Sequence, residues 1–229
     1  MRPARRDFAD AEALADGLAE AVVGDLRAAM AARGVASLAV SGGTTPTLFF
    51  KTLAQRIDLD WSKVVVTLVD ERWVPEHSDR SNARLVQLNL LRGPAGAARF
   101  VPLFQGGTTP EPAKSAAALA AVPMPLDVAV LGMGNDGHTA SFFPGGDNLH
   151  AALTGEGPVV SMRAPDAGEP RVTLTLNVLT AARALYLHIQ GEEKLETLRK
   201  AEAEGPIEAM PVRAILKETR TQLTIFWCP

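Results

Sequence analysis

The chain has 229 residues, 47% hydrophobic and 21% charged, enough to bury one sizeable core with ordinary globular composition. A net charge of -3 excludes a general basic attraction to nucleic acid or to an anionic membrane, so an anionic ligand must be held by local positive groups. The single cysteine, Cys228, excludes an intramolecular disulfide, and no apolar run approaches the ~20 residues of a membrane helix, so a cytoplasmic protein without a membrane partner is expected.

The N-terminal MRPARRDFADAEAL carries positive charge but no apolar h-region, and is not read as a signal peptide. Residues 7 to 33 read as an Ala- and Leu-rich amphipathic helix that starts near Asp7 and stops at Gly34. SLAV, 37 to 40, is a short buried strand, followed by the helix TPTLFFKTLAQ with Pro46 in its first turn, where a missing N–H costs little. VVVTLVD, 64 to 70, is a β-branched strand, and SNARLVQLNLL, 81 to 91, a helix capped by Ser81 or Asn82. FVPLF is a weak strand, PAKSAAALAA a helix, and LDVAVLGMG, 126 to 134, a strong buried strand ending in glycines. The stretch 146 to 170 is the most irregular and reads as loop-rich. Further strands are expected at 172 to 176, 184 to 190 and 222 to 227, with the charged surface helix EEKLETLRKAEAE between the last two. Alternating strands and helices indicate an α/β fold with a mainly parallel, helix-covered sheet. Nothing reads as a linker, so one domain is expected over 1–229.

GGTTP occurs twice, at 42–46 and 106–110. In the first copy the glycines join a buried strand directly to a helix, where free N–H groups and the helix dipole attract anions. The hydroxyls of Ser41, Thr44 and Thr45 add donors, and no carboxylate follows in the first helical turn. The second copy is followed at once by Glu111, which would occupy the helix terminus and repel phosphate, so it reads as a capped loop. Taken alone, the first copy is equally readable as a tight connection.

Two further strand ends are polar, and ligands of open α/β sheets collect at the carboxyl ends of strands. Asp70, Glu71 and Arg72 lie just past the second strand; an ordinary solvated turn with an Asp–Arg pair reads the same way. Asp136 and His138 lie in a glycine-rich turn, where a carboxylate can orient an imidazole as general base; a capping Asp and a surface His are the plain alternative. Arg171 and Lys194 are cations that could complete an anion site or remain surface charges. Metal is not expected, since His77, His138, His150 and His188 form no ligand-spaced pair and there is no cysteine cluster. His188, mid-strand, reads as a core residue. Gly132, Gly134 and Gly137 match G-x-G-x-x-G literally, but the Asp and His in the turn, and the missing acidic strand end, argue against a dinucleotide. There is no GxSxG elbow.

Read together and in order, SGGTTP (41–46), VDERWVP with SN (69–75, 81–82), LGMGNDGHTASFFPG (131–145), RVTLTLNVL (171–179) and GEEKL (191–195) resemble the 6-phosphogluconolactonase family. The resemblance covers roughly residues 10 to 227. It implies a layered αβα architecture of Rossmann-like type, shared with glucosamine-6-phosphate deaminase. That relative typically carries DEY where this chain has Asp70-Glu71-Arg72, and continues differently from Ser141-Phe142-Phe143-Pro144. The implied reaction is hydrolysis of 6-phospho-D-glucono-1,5-lactone to 6-phospho-D-gluconate, without cofactor or metal, by a protein that the resemblance implies is a monomer. The implied roles are His138 as base and Asp136 as its orienting group or a border of the sugar. Arg72 would serve the oxyanion or the phosphate, and Asp70 proton transfer or hydroxyl binding. Gly42, Gly43, Thr44, Thr45, Arg171 and Lys194 would hold the phosphate. An amino-sugar-phosphate isomerase or deaminase, and a non-catalytic sugar-phosphate sensor, remain as alternatives on the same features.

Overall fold

A computed structural model describes residues 3–165, 167–217 and 220–229. In chain order the elements are β1 (Ala4–Asp7), α1 (Ala11–Arg33), β2 (Ala36–Val40), α2 (Thr47–Ala54), β3 (Val64–Leu68), β4 (Asp70–Arg72), α3 (Asn82–Asn89), β5 (Arg99–Phe100) and α4 (Pro112–Leu119). They continue with β6 (Val128–Leu131), α5 (Leu149–Thr154), β7 (Val159–Met162), β8 (Arg171–Leu174), α6 (Leu176–Thr180), β9 (Ala184–Gln190), α7 (Glu192–Glu202), α8 (Val212–Leu216) and β10 (Leu223–Cys228).

Seven strands form one parallel sheet in the order β1-β10-β9-β6-β2-β3-β5. β2, β3 and β6 are buried along their whole length, as a parallel sheet with helices on its faces requires. α1 lays Leu14, Leu18, Val22 and Leu26 onto the sheet at four-residue spacing and packs against α2, while α7 packs against β9 and α8. The connections run outward one way from β2 through β3 to β5, and the other way from β6 through β9 to β10. The strand order therefore reverses between β2 and β6, and a crevice opens there at the strand carboxyl ends.

Several expectations need correction. Asp7 is the last residue of β1; the first helix begins at Ala11, with the Asp10 side chain accepting the Ala13 N–H at 2.8 Å. VTLTL does not join the parallel sheet. β8 pairs antiparallel with β4 on one side and β7 on the other, in a separate three-stranded sheet. A β-branched buried run fits either sheet, so its composition could not choose. The small sheet is tied to the large one at Val69, whose N–H bonds to the Val40 carbonyl and whose carbonyl accepts the Leu174 N–H. The stretch 146–170, expected to be loop-rich, contains α5 and β7. Glu111 follows the second GGTTP as read, but its carboxylate makes no cap to α4 and pairs with Lys114 at 2.8 Å instead.

Among the described residues no helix is long and apolar enough to cross a membrane.

Candidate active site

A cavity of about 260 Å³ lies at the reversal point between β2 and β6. Nine of the ten site positions expected from the sequence line it: Gly42, Gly43, Thr44, Thr45, Asp70, Arg72, His138, Arg171 and Lys194. Asp136 stands behind His138 rather than on the wall. The second GGTTP is elsewhere, and its Gly107 carbonyl accepts the Trp73 indole N–H at 3.2 Å.

The β2–α2 turn forms one wall. The chain leaves β2 at Ser41, whose N–H bonds to the Val130 carbonyl, and turns at Gly43 with φ 95°, a conformation that favours glycine. Pro46 sits at the N-cap of α2, one position before the first turn. Among the described residues the N–H groups of Gly42, Gly43, Thr44 and Thr45 meet no backbone acceptor. With no acidic residue in the first turn of α2, this wall offers donors and no charge that repels an anion.

The β4–β8 ladder forms a second wall. Arg72 and Arg171 are directly opposed in its register, so their side chains leave the same face. Arg171 is buried. It donates to the Ala167 carbonyl at 2.9 Å, lies 3.8 Å from Asp70 Oδ2 and stacks over the Phe143 ring at 5.3 Å. Burial lowers its guanidinium from the ordinary arginine value; Asp70 works against that shift and Arg72 adds to it. The Arg72 guanidinium donates to the Arg80 carbonyl at 2.6 Å. The Nε atoms of both arginines are buried without a partner. Two like charges and two unpaired donors on one face are chemically suited to an anion. Asp70 is already engaged: Ser141 donates to Oδ2 at 2.5 Å, and Asn82 Nδ2 stands 3.5 Å from Oδ1.

The turn after β6 carries the titratable pair. Asp136 Oδ1 lies 2.6 Å from His138 Nδ1 and also accepts the His138 backbone N–H at 3.0 Å. Burial pushes the Asp136 carboxyl up, but the bonds from the His138 ring and backbone outweigh it, and the carboxyl falls below its ordinary range. An ionised carboxylate only accepts, so the Nδ1–H of His138 is the donor in this contact. The Phe143 ring lies 4.5 Å from the imidazole, so one phenyl separates His138 from Arg171. Lys194, in the first turn of α7, closes the cavity near Asp136. Burial lowers its ammonium, against the pull of Glu193 and Asp136. Among the described residues no group of three or more His, Cys, Asp or Glu side chains is placed to hold a metal ion.

Residues 9–227 match the family model described as glucosamine-6-phosphate isomerases/6-phosphogluconolactonase. The chain belongs to this family. A 6-phosphogluconolactonase of Rhizobium meliloti (strain 1021) is 54% identical over 226 residues, covering 97% of each chain. The crystal structure of a 6-phosphogluconolactonase from Shewanella baltica OS155 superposes with a TM-score of 0.96 at 41% identity, over 99% of this chain and 98% of that one. A monomeric glucosamine-6-phosphate deaminase superposes with a TM-score of 0.77 over 98% of this chain and 97% of its own, at 15% identity, which shows the fold alone.

For a member of this family, reasoning from the sequence passed over four residues. Ser141 and Asn82 hold Asp70; Phe143 separates the imidazole from Arg171; and His188 lines the cavity from β9. Burial lowers the His188 pKa to about 4, so its ring is neutral; Gln190 Nε2 lies 3.3 Å from its Nε2. Glu71 belongs to the polar strand end, yet it is fully buried. It accepts the N–H groups of Arg72, Asn82 and Ala83 at 2.7 to 2.8 Å and the Ser81 hydroxyl at 3.2 Å. It is therefore an anchor for the start of α3. The S-N pair eleven residues after D-E was the available signal, because Ser at a helix start advertises free N–H groups nearby.

Proposed function

We propose that the chain hydrolyses 6-phospho-D-glucono-1,5-lactone to 6-phospho-D-gluconate by general-base catalysis, as a monomer without cofactor. The observation that carries the reading is the Asp136–His138 contact at 2.6 Å in a cavity whose other walls present Arg171, Arg72, Lys194 and an N–H-rich turn. The names of relatives matched over nearly the full chain support the same substrate.

A δ-lactone is an activated ester, so a positioned base suffices and is worth ~10²–10⁴-fold. His138 Nε2 takes a proton from water as its oxygen adds to the lactone carbonyl. The tetrahedral intermediate collapses with cleavage of the ring C–O bond. The imidazolium returns its proton to the departing ring oxygen, giving the open-chain acid. Asp136 holds the ring in the tautomer that leaves Nε2 free and stabilises the imidazolium.

Gly42, Gly43, Thr44, Thr45, Arg171 and Lys194 hold the phosphate, and that remote binding energy places the carbonyl at the base. Arg72 serves the phosphate too, because it stands opposite Arg171 and two adjacent guanidinium groups need a shared dianion. Asp70, with both oxygens engaged, anchors Arg171 and is not a free base.

The test is proton release on fresh lactone, with spontaneous hydrolysis subtracted, for wild type and His138→Ala. A large excess rate that collapses in the variant is expected. No excess rate in wild type, with ammonia released from glucosamine 6-phosphate, would replace this reading by the deaminase.

A further inference from the structure

Beyond its bonds to Asp70, Asn82 has no role in this scheme, although it lines the cavity and is 1% exposed. Its backbone N–H is fixed by Glu71 Oε1 at 2.8 Å, and its Nδ2 donates to the Asp70 carbonyl at 2.9 Å. Its Oδ1 is buried without a partner. The amide orientation follows from its neighbours: turned over, its oxygen would face the carbonyl and carboxylate of Asp70, both acceptors. That leaves Oδ1 against the phosphate turn. A Cβ at Gly42 would lie 1.9 Å from Oδ1, 2.2 Å from Cγ and 2.8 Å from Nδ2. Gly42 is not among the positive-φ glycines, so its backbone does not demand glycine. The space where its side chain would be is filled by Asn82. Gly43 is the opposite case, with φ 95° and nothing near its missing Cβ.

We propose that Asn82 is a positioning residue: its side chain seats the Gly42–Gly43 turn against Asp70 and so fixes the phosphate-binding turn relative to the Arg72–Arg171 ladder. The anion's identity in this proposal rests on the lactonase reading. Glu71 supplies the rigid backing, since it clamps the Asn82 and Ala83 N–H groups to β4. Residues 70–71 and 81–82 thus act as one bracket between the turn and the small sheet.

A double-mutant cycle on the full chain tests this, with Gly42→Ala, Asn82→Ala and both together. The readouts are KM and kcat on 6-phosphogluconolactone and the Kd of inorganic phosphate, which needs no turnover. In the wild-type background Gly42→Ala is expected to raise KM and the phosphate Kd at least about tenfold and change kcat less. In the Asn82→Ala background it is expected to add less than about twofold. Asn82→Asp keeps the volume and loses the donor to Asp70, so it should retain the full Gly42→Ala penalty. Should Asn82→Ala fail to fold, Asn82→Ser takes its place with the same expectation. An equal Gly42→Ala penalty in both backgrounds would overturn the proposal, because glycine would then serve the ligand's approach. Coupled phosphate constants without lactone turnover in wild type would sink the lactonase reading and leave the bracket standing.

Discussion

Gly134→Ala is the sharpest probe of the Asp136–His138 pair, because it touches the pair without removing either member. Gly134 is not a positive-φ residue, so the backbone accepts alanine. The new Cβ would lie 2.1 Å from His138 Nδ1, 2.2 Å from His138 Cε1 and 2.5 Å from Asp136 Oδ1. Non-bonded heavy atoms rest at about 3.5 Å or beyond, so the ring must retreat by more than about 1 Å. The backbone cannot yield instead: the Gly134 N–H is bonded to the His138 carbonyl at 2.9 Å, and its carbonyl accepts the Gly137 N–H at 3.1 Å. A displacement of about 1 Å at reacting groups costs on the order of 10²-fold, within the ~10²–10⁴-fold that a positioned base supplies. kcat on 6-phosphogluconolactone should therefore fall about 10²-fold, while KM stays within about threefold, because the phosphate walls are untouched. Stopped-flow proton release with spontaneous hydrolysis subtracted measures both, and circular dichroism confirms the fold. A folded variant with kcat within about threefold of wild type would refute the assignment of His138 as base.

Lys194→Ala should raise KM about tenfold or more with little change in kcat, and should narrow the preference for phosphorylated over unphosphorylated gluconolactone; a selective kcat loss would move Lys194 to the reacting carbonyl. Arg72→Met should behave likewise, whereas a kcat-dominated loss would place its charge at the oxyanion. His188 has a folded pKa near 4 against an ordinary 6.5, so the unfolded chain takes up a proton that the fold refuses. Stability from this group is thus lost as pH falls from about 6.5 to about 4, by roughly 3 kcal/mol. Urea melts of wild type and His188→Gln over that range should show the smaller acid loss in the variant, and equal losses would count against a neutral buried ring. Burial raises Glu71 to about 7 against the pull of its backbone donors, so this group works in the opposite sense. Its contribution makes the fold gain stability as pH falls from about 7 toward 4.5, and the variant comparison is needed because the two slopes overlap.

Apart from β1, the parallel sheet and the loops at its carboxyl ends were legible because their signals are local. Buried β-branched runs, a strand–Gly–Gly–helix turn and an Asp-Gly-His turn each declare themselves within a few residues. The small sheet was not legible. Residues 70–72 and 171–174 meet across 99 residues of separation at the Arg72–Arg171 pair, and nothing in either segment names the other as partner. Separation in sequence likewise hid the contact of Phe143 with Arg171 and the engagement of Asp70 by Ser141, 71 residues apart. The resemblance implies proton transfer or hydroxyl binding for Asp70, and neither segment shows that its carboxylate meets Ser141, Asn82 and Arg171. Local pattern located the groups on the cavity wall; long-range packing decided which of them are free to react.

The glycines of these loops carry the same lesson to a finer scale. From sequence alone, Gly42 and Gly43 read alike, as parts of an anion-binding turn, and Gly134 as part of a tight glycine-rich turn. In the fold only Gly43 is glycine for conformational reasons. Gly42 gives its space to Asn82, and Gly134 gives its space to the Asp136–His138 pair. The two kinds respond to different substitutions. A residue tolerant of positive φ, such as asparagine, should be accepted at 43 and rejected at 42 and 134, where any Cβ collides. Shrinking the neighbour should rescue 42 and leave 43 unchanged. Of the four glycines that line this cavity, Gly42 and Gly134 thus record which side chain lies behind them, and those side chains bear on the positions of the turn and of His138.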